Sequence, residues 1–314
     1  MPLTTLPAPH LGLGLAAVGR PGYINLGRDR DLGEDRSVDA LRARTHDLLT
    51  AAYDQGVRYL DAARSYGRSE EFLAEWLRAN PGIDVVVGSK WGYTYTADWT
   101  TTAEKHEVKD HTLATYDRQR AETAELLGAR LDLYQIHSVT PDSPALTDKA
   151  LHERLAASET PVGFSTSGPA QADAIRAALE IEVDGKPLFR TVQSTYNALE
   201  TSAAPALAEA HAAGLTVIVK EGMANGRLAG DTAPPAVREL AEETGVGPDA
   251  IALAWILHQP WTGVVLSGAA TKAQLTANLQ ARTITLDEPR LATLATLAET
   301  PAQYWSTRSA LPWH

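Results

Sequence analysis

Twice along this chain a helical stretch runs through small residues into a glycine and passes straight into an apolar strand. The two joints are Ala52-Tyr53-Asp54-Gln55-Gly56-Val57 and Ala210-His211-Ala212-Ala213-Gly214-Leu215. Glycine ends a helix without steric cost, and the strand starts at the next residue. A recurring joint of this kind implies a repeated βα unit rather than several unrelated domains. Eight apolar runs fit the repeat, at 11–15, 56–60, 83–90, 131–137, 161–168, 188–197, 214–219 and 262–266. The stretch 38–55 between the first two reads as an amphipathic helix, with Leu41, Leu48, Leu49, Ala52 and Tyr53 on one side. For 314 residues the expectation is an α/β fold: a (β/α)8 TIM barrel, one domain over 1–314, with long loops after strands one and three and a C-terminal tail.

In such a barrel chemistry sits at the C-terminal ends of the strands. Strand two ends at Asp61, and a phenol, Tyr66, follows in the turn Ala62-Ala63-Arg64-Ser65-Tyr66-Gly67. Ser69 is the expected N-cap of the next helix, with Glu70 and Glu71 in its first turn. Strand three ends in Lys90, and the fourth, Leu131-Asp132-Leu133-Tyr134-Gln135-Ile136-His137, ends in a histidine. A free phenol has a pKa near ~10 and is a poor acid at neutral pH. A nearby ammonium lowers that pKa, a carboxylate holds the ammonium, and an imidazole orients a substrate oxygen. Those four groups are what reduction of a carbonyl requires.

The same residues carry a resemblance. Asp61 and Tyr66 within Asp-Ala-Ala-Arg-Ser-Tyr-Gly, Lys90 in Gly-Ser-Lys-Trp and His137 in Tyr-Gln-Ile-His resemble the catalytic tetrad of the aldo-keto reductases, and the likeness runs from about Leu11 to about Arg282. It implies that Tyr66 protonates a carbonyl oxygen, Lys90 lowers the Tyr66 pKa, Asp61 anchors Lys90 and His137 positions the carbonyl. It also implies a hydride from NADPH or NADH, which no amino acid can supply.

Further residues are implied by the resemblance alone. Ser165, Thr166 and Gln193 would hold the nicotinamide carboxamide, with Thr166 where the family often has asparagine. Gly226 and Leu228 fall in the family's glycine-containing loop. That alignment puts Lys220 where an aromatic usually stacks on the nicotinamide. A lysine there either repels the cationic oxidised ring or bends to a pyrophosphate oxygen or to Glu221. Gly268, Lys272, Gln274 and Asn278 resemble the segment that binds the adenosine end. Gln274 stands where arginine meets a 2′-phosphate, and Lys272 is the candidate replacement, so NADPH is expected over NADH through a cation near Lys272. Substrate contacts are expected from the long loop after strand three and from the tail, with Trp91, Trp99, Tyr304 and Trp305 as apolar walls beside Tyr93, Tyr95 and Trp313.

Other features bound the function. With 28 Lys and Arg against 39 Asp and Glu, the net charge is −11, which argues against nonspecific binding to nucleic acid or anionic membrane. There is no cysteine, so disulfides and thiol catalysis are excluded. No run approaches the roughly 18–20 apolar residues of a membrane span, and no signal peptide is evident, so a cytoplasmic protein is expected. His106 and His111 lack the spacing of a helical zinc pair, so no metal is expected. The Gly12–Gly14 pair is not a dinucleotide fingerprint. Arg20, Arg28, Arg30 and Arg36 in the first long loop either lie in solvent or meet a pyrophosphate. Two rivals to an active reductase remain: a nicotinamide-binding regulatory subunit with slow turnover, and a barrel isomerase or lyase without redox chemistry.

Overall fold

The structure is a computed structural model that describes residues 6, 8–26 and 31–313. Arg28 and Arg30 lie outside the described residues. In chain order the elements are β1 His10–Gly14, α1 Val38–Asp54, β2 Tyr59–Asp61, α2 Ser69–Ala79, β3 Val86–Trp91, β4 Tyr93–Tyr95, β5 Glu107–Lys109, α3 Leu113–Leu127, β6 Leu133–Val139, α4 Lys149–Ala156, β7 Val162–Thr166 and α5 Gln171–Leu179. They continue as β8 Glu182–Val183, β9 Lys186–Pro187, β10 Thr191–Thr195, α6 Ala204–Ala212, β11 Thr216–Lys220, α7 Pro235–Thr244, α8 Pro248–Leu257, β12 Val264–Ser267, α9 Lys272–Leu279, α10 Glu288–Ala295 and α11 Pro301–Ser309.

Eight strands close a parallel barrel in the order β1-β12-β11-β10-β7-β6-β3-β2. Strand alternation divides the interior in two. Tyr59, Val86, Leu133, Ile218, Val264 and Leu266 point inward and, with Leu6, fill the barrel. Leu60, Val87, Tyr134, Ile136, Phe164, Val192, Val217, Val219 and Val265 point outward against the helices and form the larger core. Helix α1 buries Leu41, Thr45, Leu48, Leu49 and Ala52, and each fully buried leucine contributes about 1.5–3 kcal/mol relative to exposure. Helix α8 is apolar all round because Ala250 through Ile256 are buried on every side.

Glycine is required where the barrel is tightest. A Cβ on Gly88 would lie 2.4 Å from Tyr59 Oη. The tyrosine fills the space beneath Asp61 because β3 presents only hydrogen there. The long segment after β3 is not an open loop. β4 and β5 pair as an antiparallel hairpin, with Tyr93 opposite Lys109. Ser69 is the first residue of α2, not its cap; its hydroxyl donates to Ala63 O (3.2 Å), and no side chain caps that helix. Thr271 does cap α9, accepting from Gln274 N (3.2 Å), while Gln274 Oε1 accepts from Ala270 N (2.9 Å). Among the described residues no helix is long and apolar enough to cross a membrane.

Candidate active site

The C-terminal mouth of the barrel opens into a cavity of about 600 Å³. Asp61, the last residue of β2, sits at its floor, 2 % exposed. Three donors converge on its carboxylate. Lys90 Nζ binds Oδ2, Gln193 Nε2 donates to Oδ1 (3.0 Å), and Tyr59 Oη donates to Oδ1 from below (3.3 Å). Lys90 is fully buried and spends a second proton on Ala62 O (2.9 Å). A buried ammonium is tolerated only when paired and hydrogen-bonded in this way.

Tyr66 stands over this pair. Its loop is held by a backbone crossing: Arg68 N donates to Gly19 O (2.8 Å), and a Cβ on Gly19 would lie 2.3 Å from Tyr66 O. Gly67 takes φ +58° at the same crossing. Lys90 Nζ lies 4.9 Å from the Tyr66 ring centroid. The His137 ring meets Tyr66 edge-on, with centroids 5.4 Å apart.

His137 is set by an irregularity in β6. The register to β7 shifts between Ile136 and Val139, and Ser138 adopts φ +57°. Ser165 Oγ accepts from Ser138 N (2.8 Å), and His111 Nε2 lies 2.8 Å from His137 O. Burial, then the positive charges of Lys90, Lys220 and Arg20, holds the His137 imidazole well below the usual histidine range, so it is neutral. The Tyr66 phenol is raised well above the usual tyrosine range by burial and by Asp61, opposed by Arg20. It is therefore protonated and able to donate. Arg20 is the cation that opposes this rise, and the Lys90 ammonium also stands 4.9 Å from the ring. The Lys90 charge is compensated by Asp61 at contact.

Five residues outside the tetrad shape this end of the cavity: Arg20, Trp313, Arg308, Lys220 and Glu221. Arg20, 2 % exposed, donates to Ser65 O and Glu107 Oε2 (2.9 Å each), with its guanidinium 4.7 Å from the Trp313 ring and 5.4 Å from the Tyr66 ring. Trp313 stacks on His106 at 4.1 Å. Arg308 reaches in from α11 and pairs with Glu221. Lys220, at the end of β11, lines the cavity and donates to Thr195 Oγ1 (2.9 Å), which donates to Glu221 Oε2 (3.0 Å). Burial lowers the Lys220 ammonium to about 8. Burial would raise the Glu221 carboxyl, but Arg308 and Lys220 bring it down to about 2.

The residues expected from sequence divide sharply. Asp61, Tyr66, His137, Gln193, Lys220, Gly226, Gly268, Gln274 and Asn278 line one cavity, and Lys90 lies directly beneath. Gln193 Oε1 is buried without a partner, as suits a residue waiting for an amide donor. Ser165 faces inward below the lining and is engaged by Ser138. Thr166 does not face the cavity: it points outward and bonds Ser194 Oγ (2.7 Å), because alternation turns it away when Ser165 points in. Leu228 is fully buried in the core. Lys272 is exposed, outside the lining, 3.6 Å from Asp47.

The four expected substrate walls are also elsewhere. Lys90 points into the barrel, so Trp91 points out, fully buried against Tyr116 (5.1 Å). Trp99 packs on Phe72 (6.4 Å) and donates to Arg36 O (2.8 Å). Tyr304 Oη accepts from Asn197 Nδ2 (3.0 Å), and Trp305 packs beside it on the buried face of α11. The aromatic walls are Tyr23, Tyr93 and Trp313. Two of these were visible in sequence as aromatics of the loop and the tail. Tyr23 and Arg308 carry no local signal.

A closed parallel barrel with a buried Asp–Lys pair beneath a tyrosine and a histidine is the arrangement that the sequence resemblance implies. The model of the aldo/keto reductase family matches residues 12–299, and the chain belongs to that family. Over its length it is similar to the aldo-keto reductase str7 of Strobilurus tenacellus, 25% identical, covering 94% of this chain and 93% of that one. The fold is shared with the aldo-keto reductase AKR11C1 of Bacillus halodurans in its holo form (TM-score 0.68, 20% identity, 92% of each chain). It is shared too with the glycerol dehydrogenase AKR11B4 of Gluconobacter oxydans (TM-score 0.67, 21% identity, 91% of this chain and 90% of that one).

Proposed function

We propose that this chain reduces an aldehyde or ketone to an alcohol, or runs the reverse, with Tyr66 as the general acid. The observation that carries the reading is the Tyr66 phenol, protonated and facing the cavity between the Lys90–Asp61 pair and the neutral His137. Family membership supports the reaction class, and the cavity with its unpartnered Gln193 Oε1 suits a nicotinamide dinucleotide. When bound, that cofactor supplies the hydride. Ser165, Gln193, Gly226, Gly268, Gln274 and Asn278 are the residues proposed to hold it.

The protein's own part is proton transfer and positioning. Tyr66 releases its proton to the carbonyl oxygen as negative charge develops there. Lys90 lies close enough to stabilise the phenolate left behind, and Asp61 keeps Lys90 charged and fixed. His137, neutral, offers a ring N–H to the carbonyl oxygen without competing for its proton. Tyr23, Tyr93 and Trp313 enclose the substrate in apolar surface. The resemblance favours NADPH, but Lys272, the cation expected to receive its extra phosphate, lies outside the cavity lining.

A panel of aldehydes and ketones, followed by the absorbance of reduced nicotinamide, tests the reading. Turnover with at least one carbonyl is expected, at a rate that does not fall with rising pH until beyond the usual tyrosine range of about 10. No turnover across aliphatic, aromatic and sugar aldehydes would count against an enzyme and for a binding subunit.

A further inference from the structure

The cavity is not electrically uniform. Among the described lining residues its Lys and Arg side chains are Arg20, Lys220 and Arg308, and all three stand at the catalytic end. Arg20 lies against Tyr66, while Lys220 and Arg308 gather around Glu221. The other end is built by β12 and by helices α8 and α9, outside the ring of strands. There the lining is Ser267, Gly268, Ala270, Gln274, Asn278 and Asp249. This end holds a carboxylate and no cation among the described residues.

The neutral side chains at that end are partly engaged among themselves. Gln274 Oε1 accepts from Ala270 N (2.9 Å). In the amide orientation that gives both its atoms a partner, Asn278 accepts from Ser267 Oγ (2.8 Å) and donates to Asp249 Oδ2 (2.5 Å). Asn278 is 1 % exposed, so it fixes Asp249 from behind while the carboxylate still faces the cavity. No described Lys or Arg pairs with Asp249, and burial raises its carboxyl above the usual range, only partly offset by the backbone N–H of Ala250. Such a carboxylate gains from further hydroxyl donors and is opposed by a second anion. Lys272, the nearest cation in sequence, is turned to Asp47.

A dinucleotide with its reactive ring near Tyr66 must place its adenosine half at this outer end. Its ribose carries either a free 2′,3′-diol or a 2′-phosphomonoester of roughly −1.5 to −2 charge. A diol donates to a carboxylate, whereas a phosphate needs an arginine or lysine. We propose that the chain selects the unphosphorylated cofactor, NADH or NAD⁺, over NADPH or NADP⁺, with Asp249 receiving the ribose hydroxyls. This rests on the reading of the cavity as a dinucleotide site and reverses the preference that the resemblance implies.

The test is titration of the full chain by calorimetry with NADH and NADPH, and with ADP-ribose and 2′-phospho-ADP-ribose, which lack the reactive ring. NADH and ADP-ribose are each expected to bind ~10-fold or more tightly than their phosphorylated counterparts. Asp249→Asn is expected to bring each ratio within roughly 3-fold, and Ala270→Lys with Gln274→Arg to invert it. The wild-type ratios stand as a test even where a variant fails to fold. Equal affinities, or tighter binding of the phosphorylated ligands, would overturn the selectivity alone. Binding of none of the four would overturn it together with the dinucleotide site. Selective binding without turnover of any carbonyl would leave the selectivity standing and remove the reductase reading.

Discussion

At the scale of single residues the most consequential departure is Lys220. Its ammonium lines the catalytic end, tied to Thr195 and through it to Glu221. With its pKa brought down to about 8, it is mostly charged at pH 7 and mostly neutral by pH 9. A cation here opposes the cationic oxidised nicotinamide and spares the neutral reduced one. Affinity for the oxidised cofactor is therefore expected to rise by roughly 3- to 10-fold relative to the reduced form between pH 7 and 9, and to be flat with pH in Lys220→Met. Fluorescence titration of both forms checks this. Parallel pH profiles in the wild type would mean that the ammonium acts away from the ring.

That these four residues meet was readable at this scale: Asp61 ends β2, Tyr66 follows it in the adjoining loop, Lys90 and His137 lie one and two residues before the ends of β3 and β6, and strand ends in a closed barrel converge. Trp91 was misjudged for a reason equally local. Parity along β3 turns residue 91 outward once Lys90 points in, so the aromatic beside that lysine belongs to the core. Arg20 was read only as a solvent or pyrophosphate residue, not as a neighbour of Tyr66, and Arg308 was not read at all. They reach the site through a loop crossing and through the docking of α11, which depend on packing between distant segments.

Among the elements, β2 and β3 together hold the Asp61–Lys90 pair on which the proposed chemistry rests, and Tyr59 couples them. Its ring fills the barrel beneath Asp61, its hydroxyl donates to that carboxylate, and its space exists because residue 88 is glycine. Gly88→Ala is expected to lower stability by about 1–3 kcal/mol, as overpacking does. It is also expected to lower turnover more than cofactor affinity, because the displaced ring pushes on Asp61 and hence on Lys90. Chemical denaturation with steady-state kinetics measures both. Unchanged stability would show that the neighbouring strands absorb the added methyl group. The alternation of strand and helix was legible from glycine joints and β-branched runs. The β4–β5 hairpin was not, since Tyr93–Tyr95 and Glu107–Lys109 are only three residues each and partly buried or exposed throughout, with no strong apolar alternation.

Over the whole molecule the barrel brings a phenol, a charge pair and a long cavity to one mouth, and the described lysine and arginine side chains that line that cavity all lie at the Tyr66 end, each close to a carboxylate. The proton donor is the part on which the proposed activity depends. The direct measurement is single-turnover hydride transfer under saturating reduced cofactor, comparing the wild type with Tyr66→Phe and recording cofactor affinity by fluorescence in both. Loss of the phenolic proton should slow transfer by about 10²–10⁴-fold while affinity stays within roughly 3-fold. Transfer in Tyr66→Phe at a rate close to that of the wild type, with the cofactor bound equally well, would contradict the assignment of Tyr66 as the acid.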